Sequence, residues 1–418
     1  MDKMRIKGGK TLRGKVSVSG SKNAALPILF SSLLTAEPCV FNRVPTLQDI
    51  RTTLKLLSQL GAHVKYSPDQ HKVEISAKNI TNHEASYDLV RTMRASVVVL
   101  GPLLARFGKA KVSLPGGCAI GARPINFHLA ALEKMGAQIQ LEEGYVVASC
   151  ERLKGAAITF EFPSVGATEN LMMAATLADG ETVLENCAKE PEIVDLARAL
   201  RAMGAQIQGD GTETIRVQGK KSLHGCHYEV MGDRIEAGTY LAAAFITCGT
   251  VEVMGLEPEF LEAVLVKFEE AGALISRNKN SIALSSSQPP RGTDITTVPY
   301  PGFPTDMQAQ FMAIMAVAQG ASVITETIFE NRFMHVPELI RLGADITIRG
   351  KSALIRGTTP LIGAPLMATD LRASASLTLG GLVAEGETLI NRIYHLDRGY
   401  ERMEEKLRQL GAEIERIK

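Results

Sequence analysis

The residue best placed for chemistry is a cysteine in a loop of glycines and prolines, "LPGGCAIGARP" (residues 114–124). Glycines leave backbone N–H groups free, and Arg123 follows Cys118 by five residues. N–H dipoles and cations lower the pKa of a thiol from about 8.5, so Cys118 is a candidate for a reactive or proton-donating thiol. The alternative, an inert packed cysteine, remains open on local sequence alone.

A second set of candidate residues lies in the first turns of six apolar helical segments. Helix N-termini attract anions, so Lys and Arg there oppose the dipole and indicate an anion site. Asp306 and Asp370 are either ordinary caps or carboxylates held ionised among cations, which would make each a candidate base. We expect every charged helix end to reach water. The set is Lys22, Asn23, Arg94, Glu169, Asp233, Arg234, Asp306, Asp370 and Arg372.

These helices belong to a unit that occurs six times. In each unit a helical pattern ends in Gly-Ala and a β-branched stretch follows, as in "ALEKMGAQIQL" and "ALRAMGAQIQG". A glycine at this point predicts a left-handed C-cap before a strand. The glycines, 68 to 75 residues apart, are Gly61, Gly136, Gly204, Gly272, Gly343 and Gly411.

The repeat also predicts the domains. The sixth unit lacks its last strand, whereas residues 4–14 align with residues 215–225 of the third unit. The N-terminal strand should therefore complete the sixth unit. We predict an α/β protein with units one to three in residues 22–229 and units four to six in residues 1–21 plus 230–418. The chain would cross twice between the domains as a double hinge.

Composition narrows the class of function. The 418 residues carry a formal net charge of +1 and only 5% aromatic residues, which disfavours nucleic-acid and membrane-surface partners. The start lacks an apolar signal and no apolar run is long enough to span a bilayer, so we expect a cytoplasmic protein. Six cysteines without a C-x-x-C pair predict free thiols. No motif calls for a metal, nicotinamide or flavin cofactor.

Motifs distributed along the whole chain resemble a known family, the enolpyruvyl transferases that act on UDP-N-acetylglucosamine. The resemblance implies two inside-out α/β domains with threefold pseudosymmetry. It also implies transfer of the enolpyruvyl group of phosphoenolpyruvate to the sugar 3′-hydroxyl by addition and elimination, for peptidoglycan precursor synthesis. The motifs are "SGSKNAALPI", "TMRAS", "LPGGCAIGARP", "SVGATEN", "YPGFPTDMQAQ", "ENRFMHVPEL", "ATDLRASASL" and "YHLDRGYE".

The resemblance implies roles for individual residues. Cys118 matches the acid that protonates phosphoenolpyruvate, forms a covalent adduct with it, and is alkylated by fosfomycin. Asp306 matches the favoured base, with Asp370 sharing proton handling. The implied phosphoenolpyruvate ligands are Lys22, Asn23, Arg123, Arg332, Arg372 and Arg398; Lys22 and Arg398 are also counted as catalytic. The implied nucleotide-sugar contacts are Asn23, Arg94, Arg123, Pro124, Ile125, Asn126, Phe127, Ser164, Val165, Gly166, Asp306 and Ile328.

Some positions depart from the family pattern or stay outside its chemistry. Val98, Asn126 and Phe127 differ from the residues usual there, which affects the expected uridine contacts. We assign no proton transfer to His128, His335 and His395, which lie in matching motifs but are expected to be structural.

Two alternatives remain. 5-Enolpyruvylshikimate-3-phosphate synthase uses the same fold and donor, but lacks the cysteine loop. A non-catalytic repeat scaffold would explain the six units, but not the charged residues at their helix starts.

Overall fold

The structure is a computed structural model that describes residues 2–90, 93–114, 125–357 and 360–418, with Arg94 described in its backbone only. The strands are β1 (Lys3–Lys7), β2 (Arg13–Ser17), β3 (Cys39–Asn42), β4 (His63–Ser67), β5 (Lys72–Ser76), β6 (Glu84–Ala85), β7 (Lys109–Ser113), β8 (Gln138–Glu142), β9 (Tyr145–Ser149), β10 (Ala157–Thr159), β11 (Glu181–Glu185), β12 (Gln206–Gln208), β13 (Thr214–Gln218), β14 (His227–Glu229), β15 (Thr250–Met254), β16 (Leu274–Asn278), β17 (Ser281–Ser285), β18 (Ile295–Thr296), β19 (Ala321–Thr325), β20 (Asp345–Arg349), β21 (Ser352–Arg356), β22 (Pro365–Met367), β23 (Glu387–Asn391) and β24 (Glu413–Ile417). The α-helices are α1 (Lys22–Ser31), α2 (Gln48–Leu60), α3 (Tyr87–Val90), α4 (Leu100–Phe107), α5 (Asn126–Lys134), α6 (Val165–Ala175), α7 (Pro191–Ala202), α8 (Arg234–Ile246), α9 (Glu262–Glu270), α10 (Gln308–Ala316), α11 (Val336–Arg341), α12 (Leu371–Val383) and α13 (Met403–Gln409).

The described strands form six four-stranded sheets with one shared order. In each sheet an edge strand runs parallel to its neighbour, and the next two pairs are antiparallel; β10-β11-β13-β12 is an example. The corresponding sheet of the fifth unit is β18-β19-β21-β20, with the same pairing directions. The six-unit α/β fold predicted from the sequence is therefore confirmed.

The Gly-Ala pattern marks the same helix end in every unit, a left-handed glycine followed by a strand. All six glycines have a φ between +94° and +107°, the left-handed region that a side chain disfavours. At Gly61, which caps α2, the backbone N–H donates to the carbonyls of Leu57 and Ser58. The chain then turns directly into β4, and the corresponding strands of the other units begin in the same way.

In five of the six units, one helix is apolar and buried nearly all round. Every residue of α8 and of α10 is buried, and α1, α6 and α12 are buried over most of their length. Helices of this kind cannot be placed at a surface without exposing apolar side chains, so they form the centres of the two cores.

The predicted helix of the second unit differs at its start. Residues Arg94–Val99 form a 3₁₀ helix, and the α-helix begins only at Leu100. The N–H of Gly101 donates to Asn170 Oδ1 at 2.7 Å, and Pro102 has no N–H, so neither can make the α-helical bond to the preceding turn.

The described chain packs as two units, each with its own hydrophobic core. We call residues 1–19 and 232–418 the terminal unit, and residues 20–114 and 125–231 the inserted unit. In the terminal unit β1 lies between β23 and β24, with Met4 opposite Ile390 and Ile6 opposite Ile414. This is the place that β13 takes in its own sheet. Strand β1 thus supplies the sixth unit with its remaining strand.

A buried ion pair fixes the start of α8 within the terminal unit. Lys406 Nζ lies 2.6 Å from Glu236 Oε1, and the backbone N–H of Ser19 donates to Glu236 Oε2 at 2.7 Å. Lys406 also donates to the Ser19 hydroxyl at 2.8 Å. Burial raises the pKa of Glu236, while the Lys406 charge acts in the opposite direction.

Candidate active site

A carboxylate held between two arginines is the centre of the candidate site in the terminal unit. Asp306 lies in a 3₁₀ turn before α10, Arg332 in the turn before α11, and Arg372 in the first turn of α12. Arg332 Nη2 donates to Asp306 Oδ1 at 2.8 Å, and Arg372 Nη2 donates to Asp306 Oδ2 at 2.7 Å. The N-terminal ends of α10, α11 and α12, in units five and six, thus bring together three residues that the sequence had indicated separately.

The burial of these three groups is unequal. The Arg332 and Arg372 side chains are 4% and 5% exposed, whereas that of Asp306 is 26% exposed. Burial acts to lower the pKa of Arg372, but the charge of Asp306 reverses this and the pKa is raised. Two buried cations therefore bind one partly exposed anion, with Asp233 as a further negative charge acting on Arg372. Guanidinium groups held in this way are the type of group that binds carboxylate or phosphate.

A second group of predicted residues surrounds Asp370. Its Oδ1 caps α12 by accepting the N–H groups of Arg372 and Ala373 at 2.8 and 3.0 Å, so the capping interpretation is confirmed for this residue. Asp370 also interacts electrostatically with His335 and His395. Capping uses one carboxylate oxygen and does not prevent a role for the other.

His335 and His395 lie beside charged residues of the candidate site. Burial lowers the pKa of His335 to about 4, with Asp370 opposing and Arg332 adding to the effect. Burial and then Arg398 lower the pKa of His395. His335 is almost fully buried, and its Nε2 has no hydrogen-bond partner among the described residues. Both rings are thus biased towards the neutral form.

Sequence reasoning missed a buried glutamate that organises this part of the site. Glu326 Oε1 accepts the Thr297 hydroxyl and the backbone N–H of Ile328, both at 2.8 Å. Glu326 Oε2 accepts the Thr305 hydroxyl at 2.9 Å, next to Asp306. One carboxylate thereby fixes the loop of Ile328 and the turn of Asp306. Glu326, in the stretch "ITETIFEN", belongs to no motif that would have revealed this.

In the inserted unit, Lys22 and Asn23 form the first turn of α1. Ser21 caps this helix through its hydroxyl, which accepts the N–H of Ala24 at 3.4 Å. Lys22 Nζ lies 3.7 Å from Asp49 Oδ2. Asp49 is buried, so it gives the lysine a nearby counter-charge while the lysine itself is only partly buried.

Two groups of predicted nucleotide-sugar contacts are neighbours in the inserted unit. Ser164 caps α6, whose first residues are Val165 and Gly166. A side-chain carbon on Gly166 would lie 3.6 Å from the ring of His128, in the first turn of α5. Since Asn126 and Phe127 begin α5, and Ile125 is the buried residue before it, the structure brings segments 125–127 and 164–166 together.

The expectation that every charged helix end reaches water is wrong. Glu169, Asp233, Arg234 and Arg372 are all buried. Burial, with smaller contributions from Glu192 and Glu190, raises the pKa of Glu169 well above its usual value. Glu169 lies in the second turn of α6, whose residues from Ala167 onward are enclosed, so the helix carries this carboxyl group into the interior.

Several predicted residues lie outside the described residues: Cys118, Arg123, Pro124 and the side chain of Arg94. The five described cysteines are free thiols. Among the described residues, no three His, Cys, Asp or Glu side chains are grouped so that they could hold a metal ion. No helix in the described part of the chain is both long and apolar enough to cross a membrane.

Comparisons of the sequence place it among known proteins. Residues 6–407 match the EPSP synthase (3-phosphoshikimate 1-carboxyvinyltransferase) family. A UDP-N-acetylglucosamine 1-carboxyvinyltransferase from Nitratidesulfovibrio vulgaris is 60% identical over 417 residues, covering 100% of this chain and 99% of the relative. A protein of the same name from Geobacter metallireducens is 58% identical over 418 residues, covering 100% of both chains.

Solved structures agree with this result. The enolpyruvyl transferase NikO from Streptomyces tendae superposes with a TM-score of 0.89 at 25% identity, covering 99% of this chain and 98% of its own. An EPSP synthase from Acinetobacter baumannii superposes with a TM-score of 0.77 at 20% identity, covering 100% of both chains. The second likeness concerns the fold alone.

Proposed function

The chain belongs to the EPSP synthase family of enolpyruvyl transferases, and we propose that it transfers the enolpyruvyl group of phosphoenolpyruvate to the 3′-hydroxyl of UDP-N-acetylglucosamine, releasing phosphate. The observation that carries the choice of acceptor is the 57–60% full-length identity to relatives named for that sugar nucleotide. The reaction commits the sugar to peptidoglycan precursors and so serves cell-wall growth, cell shape and division. We place it in the cytoplasm.

Asp306 is the base in this proposal. Each of its oxygens already accepts one arginine N–H, and the exposed part of the carboxylate leaves further lone pairs for the sugar hydroxyl. Because both arginine partners are buried, the carboxylate has a fixed orientation. A base fixed in this way contributes about 10²- to 10⁴-fold to a reaction that removes a hydroxyl proton.

The positive groups bind phosphoenolpyruvate. Arg332 and Arg372 each donate from Nη2 to Asp306, and Arg372 also donates from Nη1 to Tyr400. We assign the remaining N–H groups of the two guanidinium groups to the carboxylate or phosphate of the ligand. Arg398, Lys22 and Asn23 complete the ligands assigned within the described residues. Arg123 joins them by resemblance.

Cys118 supplies the proton for the addition step. Its thiol protonates the methylene carbon of phosphoenolpyruvate, the sugar oxygen attacks the adjacent cationic carbon, and Asp306 takes the hydroxyl proton. Phosphate then leaves as a methyl proton returns to a base, a role that Asp370 can share. The same thiol would open the epoxide of fosfomycin, so mass spectrometry of the treated protein should find the adduct on the peptide that contains Cys118.

The nucleotide sugar is assigned to the segments already described in each unit. In the inserted unit these are residues 125–127 and 164–166, with Arg94, Arg123 and Pro124 by resemblance. In the terminal unit it is Ile328, held by Glu326. We propose that the two units act as the two domains predicted from the repeats, 22–229 and 1–21 plus 230–418.

Phosphate release tests the proposal. The protein is mixed with phosphoenolpyruvate and either UDP-N-acetylglucosamine or shikimate 3-phosphate, and phosphate is measured over time. Release should occur with the sugar nucleotide only, and mass spectrometry should detect its enolpyruvyl ether. Release with shikimate 3-phosphate instead would assign the chain to the other branch of the family, and release with neither would refute the enzyme.

Asp306→Asn supplies the residue-level test, with Asp345→Asn as the matched control. Asp345 also pairs with an arginine, Arg356, but at 3.4 Å on an exposed strand. We expect a loss of about 100-fold or more in kcat for the first variant and none for the second. Equal activity of the two would remove Asp306 from the mechanism.

A further inference from the structure

The buried hydroxyl of Tyr400 lies where side chains from three helices meet in the terminal unit. Its oxygen is 2.9 Å from Thr239 Oγ1 on α8, 3.2 Å from Gln310 Nε2 on α10, and 3.2 Å from Arg372 Nη1 on α12. These helices come from units four, five and six. Tyr400 was not among the residues that the sequence singled out.

The direction of each hydrogen bond follows from the groups involved. Arg372 and the amide nitrogen of Gln310 can only donate, so the Tyr400 oxygen accepts from both. The Thr239 hydroxyl lies 2.8 Å from the carbonyl of Ile235 and donates there, so its oxygen accepts the Tyr400 proton as well as a second hydrogen bond from Gln310 Nε2 at 3.1 Å. The bonds therefore run in one direction, from Arg372 through Tyr400 and Thr239 to the backbone of α8.

Tyr400 can hold this position because it stays protonated. Burial raises the pKa of Tyr400, and the opposing effects of Arg372 and Thr239 do not overcome it. A neutral phenol accepts from the arginine while its own proton is committed to the threonine.

The same arginine holds the proposed base. Arg372 Nη2 donates to Asp306 at 2.7 Å while Nη1 is held by Tyr400. The guanidinium is planar and rigid, so anchoring one terminal nitrogen fixes the direction of the other. Without the Tyr400 hydroxyl, Arg372 would keep its bond to Asp306, its position over the aromatic ring and its attraction to Asp233, but Nη1 would lose the hydrogen bond that fixes its direction.

We infer that Tyr400, backed by Thr239, is a positioning residue that holds Arg372 and thereby orients Asp306 for removal of the acceptor proton. This inference rests on the proposed function of Asp306. Tyr400 itself need not touch a substrate.

The test uses Tyr400→Phe and Thr239→Val, with Thr378→Val as the matched control. Thr378 is a buried helical threonine of the same unit whose hydroxyl donates to a carbonyl four residues earlier, as that of Thr239 does, but it is bonded to Ser374 and not to Tyr400. All four proteins, including the wild type, are assayed for phosphate release with UDP-N-acetylglucosamine.

We expect kcat to fall about tenfold in Tyr400→Phe, because a tenfold loss corresponds to one hydrogen bond lost in the transition state. The KM for UDP-N-acetylglucosamine should change less than about twofold. Thr239→Val should show a smaller fall in kcat, and Thr378→Val none. In a Tyr400→Phe/Thr239→Val double variant the effects should not multiply, since both act through Arg372.

Unchanged kcat in folded Tyr400→Phe would overturn the inference, and so would equal losses in Thr239→Val and Thr378→Val. If Tyr400→Phe does not fold, the comparison of the two threonine variants decides alone. A wild type that releases no phosphate would instead refute the proposed function, so the two failures are distinguishable.

Discussion

Replacing Lys406 by Met should destabilise the terminal unit strongly at neutral pH and weakly at acid pH. Lys406 and Glu236 lie 2.6 Å apart with side chains 18% and 2% exposed, so the substitution leaves a buried carboxylate without its cation. Breaking a buried pair from one side is costly because the remaining charge has no compensation.

The structure limits the size of the effect. Glu236 can escape its uncompensated charge by binding a proton, and its ordinary pKa is 4.5. Protonation at pH 7 costs about 1.4 kcal/mol per unit of difference, or roughly 3 kcal/mol, and less than about 1 kcal/mol at pH 5. The folded pKa of this acid is raised above the unfolded one, so the penalty is present at high pH and is relieved as the pH falls towards 4.5.

Lys10→Met is the matched control in the same unit, since Lys10 and Glu413 pair at 3.0 Å with side chains 55% and 43% exposed. An exposed pair of this kind contributes little to stability, because solvent screens both charges. Because the chain has two units, the free energy of local unfolding is best measured by hydrogen exchange at the amides of α8 and β2. A Lys406→Met penalty that is equal at pH 5 and pH 7, or no larger than that of the control, would refute the reasoning.

Three further outcomes can be checked by simpler measurements. Burial raises the pKa of Asp195 from 3.8 to about 6, so the free-energy penalty for its charge builds up as the pH rises through this range. Relative to Asp195→Asn, the wild type should gain about 2 kcal/mol in the free energy of local unfolding between pH 7 and pH 4, measured by hydrogen exchange at the amides of α7, and a constant difference would contradict this. Gly20→Ala should lower the free energy of unfolding by about 3 kcal/mol or more, because the added Cβ would lie 1.7 Å from Arg43 O. Gly136→Ala is the control: its Cβ would lie in open space at a φ of +94°, so the substitution should cost about 1 kcal/mol. Similar melting temperatures for the two variants would contradict the close packing at Gly20. His335 should stay neutral, so an imidazole titration detected by NMR with a midpoint above about pH 6 would contradict its enclosed position.

The architecture could be predicted because it repeats. The glycine before alanine has the same left-handed backbone conformation in all six units, so each occurrence in the sequence supports the same interpretation of the others. The position of β1 was predictable for the same reason, since residues 4–14 resemble the third-unit strand β13. A single Gly-Ala helix end would be an ambiguous signal, but six at similar spacing predict the repeated unit.

The contacts inside the site could not be predicted in this way. Motifs indicated Asp306, Arg332 and Arg372 separately, but that both arginines bind one carboxylate depends on where three helix starts meet. Glu326 and Tyr400 were missed because the side chains that connect them to the site, Thr305 and Arg372, lie 21 and 28 residues away and no sequence spacing indicates these contacts. The prediction that Glu169 reaches water was wrong, since the sequence placed it in the first turn of its helix and did not show what packs over it.

The pairing of β1 with β24 has a consequence for how the protein is made. Arg5 and Glu415 are side-chain partners 410 residues apart. At about 5–20 residues per second, a ribosome adds Glu415 roughly 20–80 s after it has added Arg5. During that interval the inserted unit is synthesised with every strand of its three sheets, whereas the first strand of the chain has no finished sheet to join. The order of synthesis and the order of folding are thus opposite in the terminal unit: β1 is synthesised before the other strands of its sheet but pairs with β24 only at the end.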